Sequence, residues 1–209
     1  MIKIERKSLF LSILIIISFI TLIDFVIHLT TNKTPYISIE ELTNLTENKQ
    51  VRFRGKVLDY GVPSSIFVEE KGFVASVENI PISKYRIGDL IEVEGYYDAR
   101  YPLIFRDVKY VRILGHENAT FTFAEVNKSF IRMENLGKLI KIKNQTLIDY
   151  RETNLLIFLN FSYPSYIDKH KISSTFLSPG LKYDLYGVIL SFNGSLYLRL
   201  LNITRTSGE

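Results

Sequence analysis

The sequence contains no cysteine, and it has only three histidines among 209 residues. The absence of cysteine excludes disulfides, thiolate metal sites and thiol nucleophiles. The sequence also lacks a glycine-rich phosphate loop and any cluster of residues with metal-ligand spacing. We therefore expect no catalytic site, no metal and no cofactor, and we interpret the chain as a protein that is not an enzyme.

A strong excess of one charge is also lacking. The 26 lysines and arginines exceed the 22 acidic residues by only four. Nucleic-acid-binding proteins usually concentrate more basic charge than this, so the net charge does not argue strongly for such a partner and does not exclude one. With 46% apolar residues, the chain is long enough to bury a core in one or two domains.

A long apolar run lies near the N-terminus. Residues 8–29 are apolar apart from two ionisable side chains near the far end, and these 22 residues match the about 20 that a membrane-spanning helix needs. The length favours a transmembrane anchor over a cleaved signal peptide. The other alternative, a pilin-like leader, would need a small residue at the end of the charged segment, where only Ser8 is available. Lys3, Arg6 and Lys7 precede the run, so the positive-inside rule places the N-terminus in the cytoplasm and the remainder outside.

The sequons agree with an outside location. Eight of the twelve asparagines lie in N-x-Ser/Thr, whereas chance predicts about two. Such a set resembles that of archaeal surface proteins and predicts N-glycosylation, with chance in an asparagine-rich sequence as the alternative. The predicted acceptors are Asn32, Asn44, Asn118, Asn127, Asn144, Asn160, Asn193 and Asn202.

Alternation of apolar and polar residues predicts five strands in the first half of the chain. A capping box at Ser38–Glu41 opens a short helix that ends at about Leu45, and Gly55 falls where a curved strand needs a bulge. The predicted strands are Val51–Leu58, Ser65–Glu69, Gly72–Val77, Leu90–Tyr97 and Leu103–Ile113.

The same order recurs in the second half. Thr122–Glu125 reads as a second capping box, and Leu139–Lys143 repeats the first alternating strand. Pro179–Gly187 matches Ile87–Gly95, and Ser195–Arg199 matches Pro102–Arg106. The third strand of this half falls somewhere in Phe161–Phe176 and cannot be placed from the pattern.

This succession of an alternating strand with a central glycine, a hairpin, the pattern x-G-D-x-I-x-V-x-G and a last strand resembles the OB fold of the nucleic-acid-binding type. The resemblance implies a mainly β protein in which a transmembrane helix precedes two consecutive five-stranded Greek-key barrels. The predicted organisation is a cytoplasmic stub at 1–7, the anchor at 8–29, a linker at 30–37, a first OB-like domain at 38–115 and a second at 122–206.

The OB resemblance implies ligand binding on the second and third strands and the flanking loops, through aromatic and basic side chains. An ordinary solvated strand face gives the same alternation. Lys141 and Lys143 repeat the basic pattern, but Val51–Leu114 contains no sequon, so we expect the ligand on the first barrel. The candidate residues are Arg52, Arg54, Tyr60, Phe67, Tyr96, Tyr97, Arg100 and Tyr101.

Three functions fit these features. The first is a membrane-tethered binding protein for single-stranded nucleic acid or polysaccharide, and the second is a structural module that binds a protein partner in a surface or secretion assembly. The third follows from a resemblance to the haem chaperone of cytochrome c maturation, in which a histidine follows the last strand. His116 lies there, but the tyrosine expected four positions later is Thr120.

Overall fold

The computed structural model describes residues 15–23, 34–61, 64–151, 155–168 and 177–206. These residues fall into two compact units that divide between Pro35 and Tyr36. The first unit contains a described helix at residues 15–23. The second unit contains the strands described below.

The described helix of the N-terminal unit covers residues 15–23, which are nine of the 22 residues of the predicted anchor. Among the described residues, no helix is long and apolar enough to cross a membrane. The predicted transmembrane anchor is therefore wrong, and so is the single-pass, extracytoplasmic localisation that depended on it. The remainder of 8–29, the stub at 1–7 and Asn32 lie outside the described residues.

The first half of the second unit forms a six-stranded sheet. Its elements are helix α1 (Ile39–Leu42), β1 (Lys49–Gly61), β2 (Ser65–Glu70), β3 (Phe73–Glu78), a 3-10 helix (Ile82–Lys84), β4 (Asp89–Tyr97), β5 (Ile104–Phe105) and β6 (Asp107–His116). Only Arg106 separates β5 from β6, so the two segments are one interrupted strand. The five strands predicted here are confirmed, with the last one divided in two.

The sheet closes on itself because both ends of its strand order belong to the interrupted strand. β1, β2 and β3 pair in antiparallel succession, β1 also pairs with β4, and β4 pairs with β6. β3 pairs in parallel with β5, with Ser76 opposite Ile104. The cyclic order β1, β2, β3, β5/β6, β4 describes a five-stranded Greek-key barrel of the OB type.

Two local sequence signals produce the predicted geometry in this barrel. The Ser38 hydroxyl accepts a hydrogen bond from the Glu41 amide at 3.2 Å, and the Glu41 carboxylate accepts one from the Ser38 amide at 2.9 Å. The first capping box is thus confirmed. The β2–β3 hairpin turns at Lys71 and Gly72, whose φ values of 52° and 85° suit the twist of hairpin strands.

The glycine in the middle of β1 allows this strand to change neighbours. β1 pairs with β4 up to Lys56 and with β2 from Lys56 onward. A Cβ atom on Gly55 would lie 2.6 Å from the carbonyl oxygen of Glu69, so only glycine permits this close approach of the two backbones. The register with β2 shifts at Leu58, three residues after the glycine.

The second half of the unit forms another six-stranded sheet. Its elements are β7 (Ala124–Glu125), two 3-10 helices (Lys128–Phe130 and Met133–Asn135), β8 (Leu139–Tyr150), β9 (Leu155–Phe158), β10 (Ser165–Ile167), β11 (Lys182–Phe192) and β12 (Ser195–Arg205). β10 is the strand that the sequence pattern did not place.

The second sheet repeats the topology of the first. β8, β9 and β10 pair in antiparallel succession, β10 pairs in parallel with β12, and β11 pairs with both β12 and β8. The extra strand β7 runs parallel to β8. The first barrel has a shorter equivalent, in which Tyr36 forms a parallel bridge to Arg52 of β1. The tandem OB-like repeat is therefore confirmed.

The second predicted capping box does not start a helix. Ala124 and Glu125 pair as β7 with Ile140 and Lys141 of β8, and this extended pairing excludes a helical turn. The following 3-10 helix begins instead at Asn127, whose side chain accepts a hydrogen bond from the amide of Ser129.

Candidate ligand-binding site

Of the three basic residues that alternate along β1, two are neutralised by carboxylates. Arg52, Arg54 and Lys56 alternate along one face of the strand. A guanidinium nitrogen of Arg54 lies 2.7 Å from the carboxylate of Glu92, and Lys56 Nζ lies 2.9 Å from that of Glu117. Arg52 is half-buried, and its Nε finds no hydrogen-bond partner among the described residues. This strand therefore does not present an unpaired basic stripe.

The carboxylate of Glu92 organises the outer face of β1, β4 and β6. It is fully buried, and it accepts hydrogen bonds from Arg54 Nε at 2.8 Å and Arg112 Nη2 at 2.7 Å. Burial raises the pKa of Glu92, but the hydrogen bonds and charges of the two arginines outweigh burial and hold this pKa below its usual value. Lys109 pairs with Glu94 beside them at 2.9 Å, so the face carries matched charges.

Three of the predicted aromatic residues serve the first barrel itself. Phe67 and Tyr97 are buried, and Tyr60 is partly buried against the core. The Tyr97 hydroxyl donates to the carbonyl of Leu45 at 3.0 Å, and the Tyr60 hydroxyl donates to that of Tyr85 at 2.9 Å. These positions leave the rings of Phe67 and Tyr97 without a surface on which a ligand could stack.

The remaining predicted residues lie near the end of β4, and two of them come together. Tyr96 is exposed on β4, whereas Arg100 pairs with Asp98 at 2.6 Å and lies over the ring of Tyr101 at 5.6 Å. The Tyr101 ring contacts that of Phe192 in the second barrel at 5.3 Å. Arg100 and Tyr101 therefore lie at the boundary between the barrels.

The second barrel covers the β2–β3 face of the first. Backbone hydrogen bonds join the barrels from Leu139 N to Gly72 O at 3.0 Å and from Val74 N to Gly137 O at 2.8 Å. Because OB barrels use this face for ligands, the packing removes it from solvent on the first barrel. We call this contact the barrel interface; it encloses a cavity of 120 Å³ lined by Ser65, Phe67, Ser76, Glu78 and Ile104 on one side and Tyr166, Leu190, Tyr197 and Arg199 on the other.

The second barrel retains an open cleft at the corresponding place, between β10 and the β11–β12 hairpin. We call this 490 Å³ cavity the aromatic cleft; its lining is Pro164, Tyr166, Phe192, Asn193, Ser195, Leu196 and Tyr197. The rings of Tyr166 and Tyr197 meet edge to face at 5.8 Å, and Phe192 is 45% exposed. Among the described residues, the lining contains no charged side chain.

Two arginines beside the aromatic cleft, Arg106 near Phe192 and Arg199 opposite Tyr166, are themselves ion-paired. Arg106 lies 4.5 Å above the Tyr101 ring and binds Glu78 at 3.0 Å, and Arg199 binds Asp168 at 2.5 Å. Burial raises the pKa of Tyr197 to about 12, so its hydroxyl stays protonated at neutral pH. The cleft thus offers aromatic faces and neutral hydrogen-bonding groups.

The other predicted features of the second barrel lie outside the cleft, apart from Asn193. Lys141 pairs with Asp184 at 3.2 Å, and Lys143 pairs with Glu125 at 2.6 Å. All seven sequon asparagines within the described residues are exposed: Asn44, Asn118, Asn127, Asn144, Asn160, Asn193 and Asn202. Their glycosylation stays a prediction. A glycan on Asn193 would fill the cleft, so ligand binding there requires Asn193 to be unmodified.

The histidine considered for haem attachment is engaged by a carboxylate. His116 Nδ1 lies 2.8 Å from Asp89 Oδ1, on the last strand of the first barrel. Burial raises the pKa of Asp89, but the Arg86 amide and His116 outweigh it and lower this pKa. Within the described residues, no group of histidine and carboxylate side chains could hold a metal ion.

The sequence reasoning missed Tyr166, Phe192 and Tyr197. A signal for one of them was present, because Asn193-Gly194 is a typical two-residue hairpin turn and directly follows Phe192. Tyr166 had no comparable signal, since it belongs to the strand that the pattern did not place.

No protein-family model matches the sequence, and no curated protein matches it. Among solved structures, the chain is similar to the telomere capping protein Ten1 from Saccharomyces pombe, with TM-score 0.33, 15% identity and coverage of 39% of this chain and 81% of that chain. It is also similar to the hypothetical protein ygiW from E. coli, with TM-score 0.33, 15% identity and coverage of 40% and 98%. The p204 HINb domain gives TM-score 0.39, 12% identity and coverage of 77% and 100%. At these low TM-scores, the OB assignment follows from the strand order and not from the similarities.

Proposed function

We propose that the protein is a non-enzymatic binding protein that holds a segment of a neutral polysaccharide in the aromatic cleft. The observation that carries this proposal is the composition of the cleft lining, in which Tyr166, Phe192 and Tyr197 lie beside Asn193 and Ser195 without a charged side chain. Aromatic faces suit the apolar faces of sugar rings, and the amide and hydroxyl groups suit sugar hydroxyls. The volume of 490 Å³ lies within the range of about 300–1,000 Å³ that is typical of ligand sites.

The position of the cleft in the fold supports the same proposal. OB barrels bind oligosaccharides or oligonucleotides at the face of the second and third strands and at the loop between the fourth and fifth. In the second barrel these elements are β9, β10 and the β11–β12 turn, and the cleft lies between β10 and that turn. We therefore place the ligand on the second barrel, in contrast to the assignment to the first barrel made from the sequence.

The ion pairs favour a neutral polymer over single-stranded nucleic acid. Binding of a nucleic-acid backbone requires basic side chains that are available to phosphates. Arg106 and Arg199, the arginines beside the cleft, are bound to Glu78 and Asp168. A phosphate would have to replace a carboxylate partner that is already in place.

Titration calorimetry of the full chain tests the proposal with a panel of neutral oligosaccharides and with oligothymidylate at low and high salt. We expect at least one neutral oligosaccharide to bind with an affinity that does not change with salt. Binding of oligothymidylate that weakens steeply as salt rises, with no binding of any sugar in the panel, would contradict the proposal, since that dependence identifies phosphate contacts.

A further inference from the structure

Strand β6 (Asp107–His116) leaves one of its edges unpaired. Within the described residues, it pairs with β4 along its length and with no strand on the other side. The short β5 segment provides the contact with β3 that closes the barrel. An edge of this kind exposes backbone N–H and C=O groups that can pair with another strand.

The edge of β6 also carries exposed apolar side chains. Ile113 is 47% exposed and Leu114 is 39% exposed. The equivalent strand of the second barrel is β12. Near its end it buries the apolar residues Leu201 and Ile203 and exposes polar residues such as Asn202. β6 and β12 occupy the same place in the repeated fold, but only β6 exposes large apolar side chains near its end. Exposed apolar side chains are typical of an interface, whereas polar ones are typical of a solvated edge.

The charges of β6 do not prevent this edge from pairing with another strand in the way that charges on edge strands usually do. Exposed lysines commonly keep edge strands apart by repulsion. In β6, the ammonium group of Lys109 lies 2.9 Å from Glu94, and Arg112 lies 2.7 Å from Glu92. The neighbouring strand β4 therefore neutralises both cations and reduces their repulsion of a similar strand.

We propose that β6 pairs in antiparallel fashion with β6 of a second copy of this chain, around a two-fold axis at Val111. The register against β4 leaves Lys109 and Leu114 as bulge residues, so Tyr110–Ile113 is the regular segment. A two-fold axis at Val111 places Tyr110 of one copy opposite Arg112 of the other. This pairing of an aromatic ring with a cation occurs twice, because the axis relates the two copies. A centre at Arg112 would instead oppose two like charges.

Sedimentation equilibrium of the full chain over a range of concentrations tests this pairing. We expect a monomer–dimer equilibrium whose dissociation constant rises about tenfold or more in Ile113→Lys, because the substitution places a hydrated charge where pairing would cover an exposed apolar side chain. Ile148→Lys is the matched control, since Ile148 is 48% exposed on β8 of the other barrel. The control should leave the dissociation constant unchanged.

Amide hydrogen exchange provides a second readout that does not depend on a substitution. The amides of β6 that point away from β4 should exchange more slowly as protein concentration rises. A chain that stays monomeric at all concentrations would overturn the proposal, and so would a dimer that Ile113→Lys leaves intact or one whose β6 exchange does not change with concentration. These results are independent of sugar binding, because β6 belongs to the first barrel and the aromatic cleft to the second.

Discussion

A single buried carboxylate joins three strands of the first barrel. Glu92 lies on β4, and it binds Arg54 of β1 and Arg112 of β6 while its own side chain is inaccessible to solvent. A buried charge without partners is strongly unfavourable, so the two arginines are what allow the carboxylate to remain ionised. The stability of this sheet therefore depends on pH through Glu92.

We expect Glu92→Gln to lower the free energy of unfolding at neutral pH by about 1–3 kcal/mol, because two charge-assisted hydrogen bonds are lost. The folded-state pKa of Glu92 is lowered, so its contribution is present above the unfolded-state pKa of about 4.3 and is lost as pH falls through the folded-state value. Urea denaturation from pH 7 to pH 3 measures this. The loss in the variant should shrink as the pH falls.

Glu134→Gln is the matched control for that experiment. Glu134 is exposed, and its carboxylate lies 3.7 Å from Arg132 in a surface pair. Such pairs contribute little, so a change within about 0.5 kcal/mol is expected. Equal losses in the two variants would show that the burial of Glu92 does not have the predicted effect.

Two tyrosines should titrate late, the buried Tyr97 and the partly buried Tyr197. Burial raises the pKa of Tyr97 and of Tyr197 to about 12 each. The raised folded-state values mean that their contribution to stability is present below the unfolded-state pKa of about 10 and is lost as pH rises toward 12. Absorbance of tyrosinate against pH should show a late phase, and Tyr97→Phe should remove part of it. A single phase near pH 10 for all 13 tyrosines would contradict this expectation.

At the scale of the strand, glycine determines where β1 can change neighbours. The carbonyl of Glu69 occupies the space that a side chain at Gly55 would need. Gly187 of β11 is in a similar position, since its Cβ would lie 2.6 Å from the carbonyl oxygen of Arg199. Each barrel, therefore, has a strand glycine that permits two backbones to approach closely.

Gly55→Ala should lower the free energy of unfolding by about 1–3 kcal/mol, because the backbone of β2 must move to admit the methyl group. Gly115→Ala in β6 is the control: nothing lies within 4 Å of its Cβ position. It should change stability by less than about 0.5 kcal/mol. Thermal or chemical denaturation measures the two variants, and equal effects would contradict a steric role for Gly55.

Strand positions in the first barrel could be predicted because alternation and turn residues carry local information. The break between Ser65–Glu69 and Gly72–Val77 predicted a hairpin around Glu70-Lys71, one residue before the observed turn at Lys71-Gly72, and Ser38–Glu41 marks the helix. β10 could not be predicted, since its three residues are too few to show a period and its place depends on pairing with β12. Thr122–Glu125 misled for the same reason, because long-range pairing with β8 overrides a local capping signal.

At the scale of the whole molecule, the barrel interface joins the two OB-like repeats into one folded unit. Arg199 of the second barrel lies 5.6 Å from the ring of Phe67 in the first, and backbone hydrogen bonds join the edges of the barrels. Units that share a buried face of this kind are expected to unfold together. Residues 36–206 should therefore behave as one cooperative unit.

Differential scanning calorimetry should show one transition with equal calorimetric and van't Hoff enthalpies. Phe67→Ala should lower the free energy of unfolding by about 3–5 kcal/mol and move the whole transition, since it removes a buried ring at the barrel interface. Two separate transitions in the unaltered chain, or a shift of only half of the signal in the variant, would contradict a cooperative unit.

The residues predicted for ligand binding do not line the aromatic cleft, although the ring of Tyr101 contacts Phe192 of that lining. The contact depends on how the barrels pack, and a local pattern does not encode this packing. Phe67 and Arg54 had the residue types of a binding face, yet the structure uses the first for the barrel interface and the second for Glu92. The residue type shows which contacts a side chain can make, whereas the residues packed around it in the fold determine which contact it makes.

The most direct test of the proposed function compares two exposed aromatic residues of the second barrel by titration calorimetry with the neutral oligosaccharide that binds the unaltered chain. Phe192 is 45% exposed in the aromatic cleft, and Tyr150 is 42% exposed at the end of β8, outside the cleft lining. Phe192→Ala should weaken binding by about tenfold or more, and Tyr150→Ala should leave it unchanged. Unchanged binding in Phe192→Ala, or an equal loss in both variants, would contradict binding in the aromatic cleft.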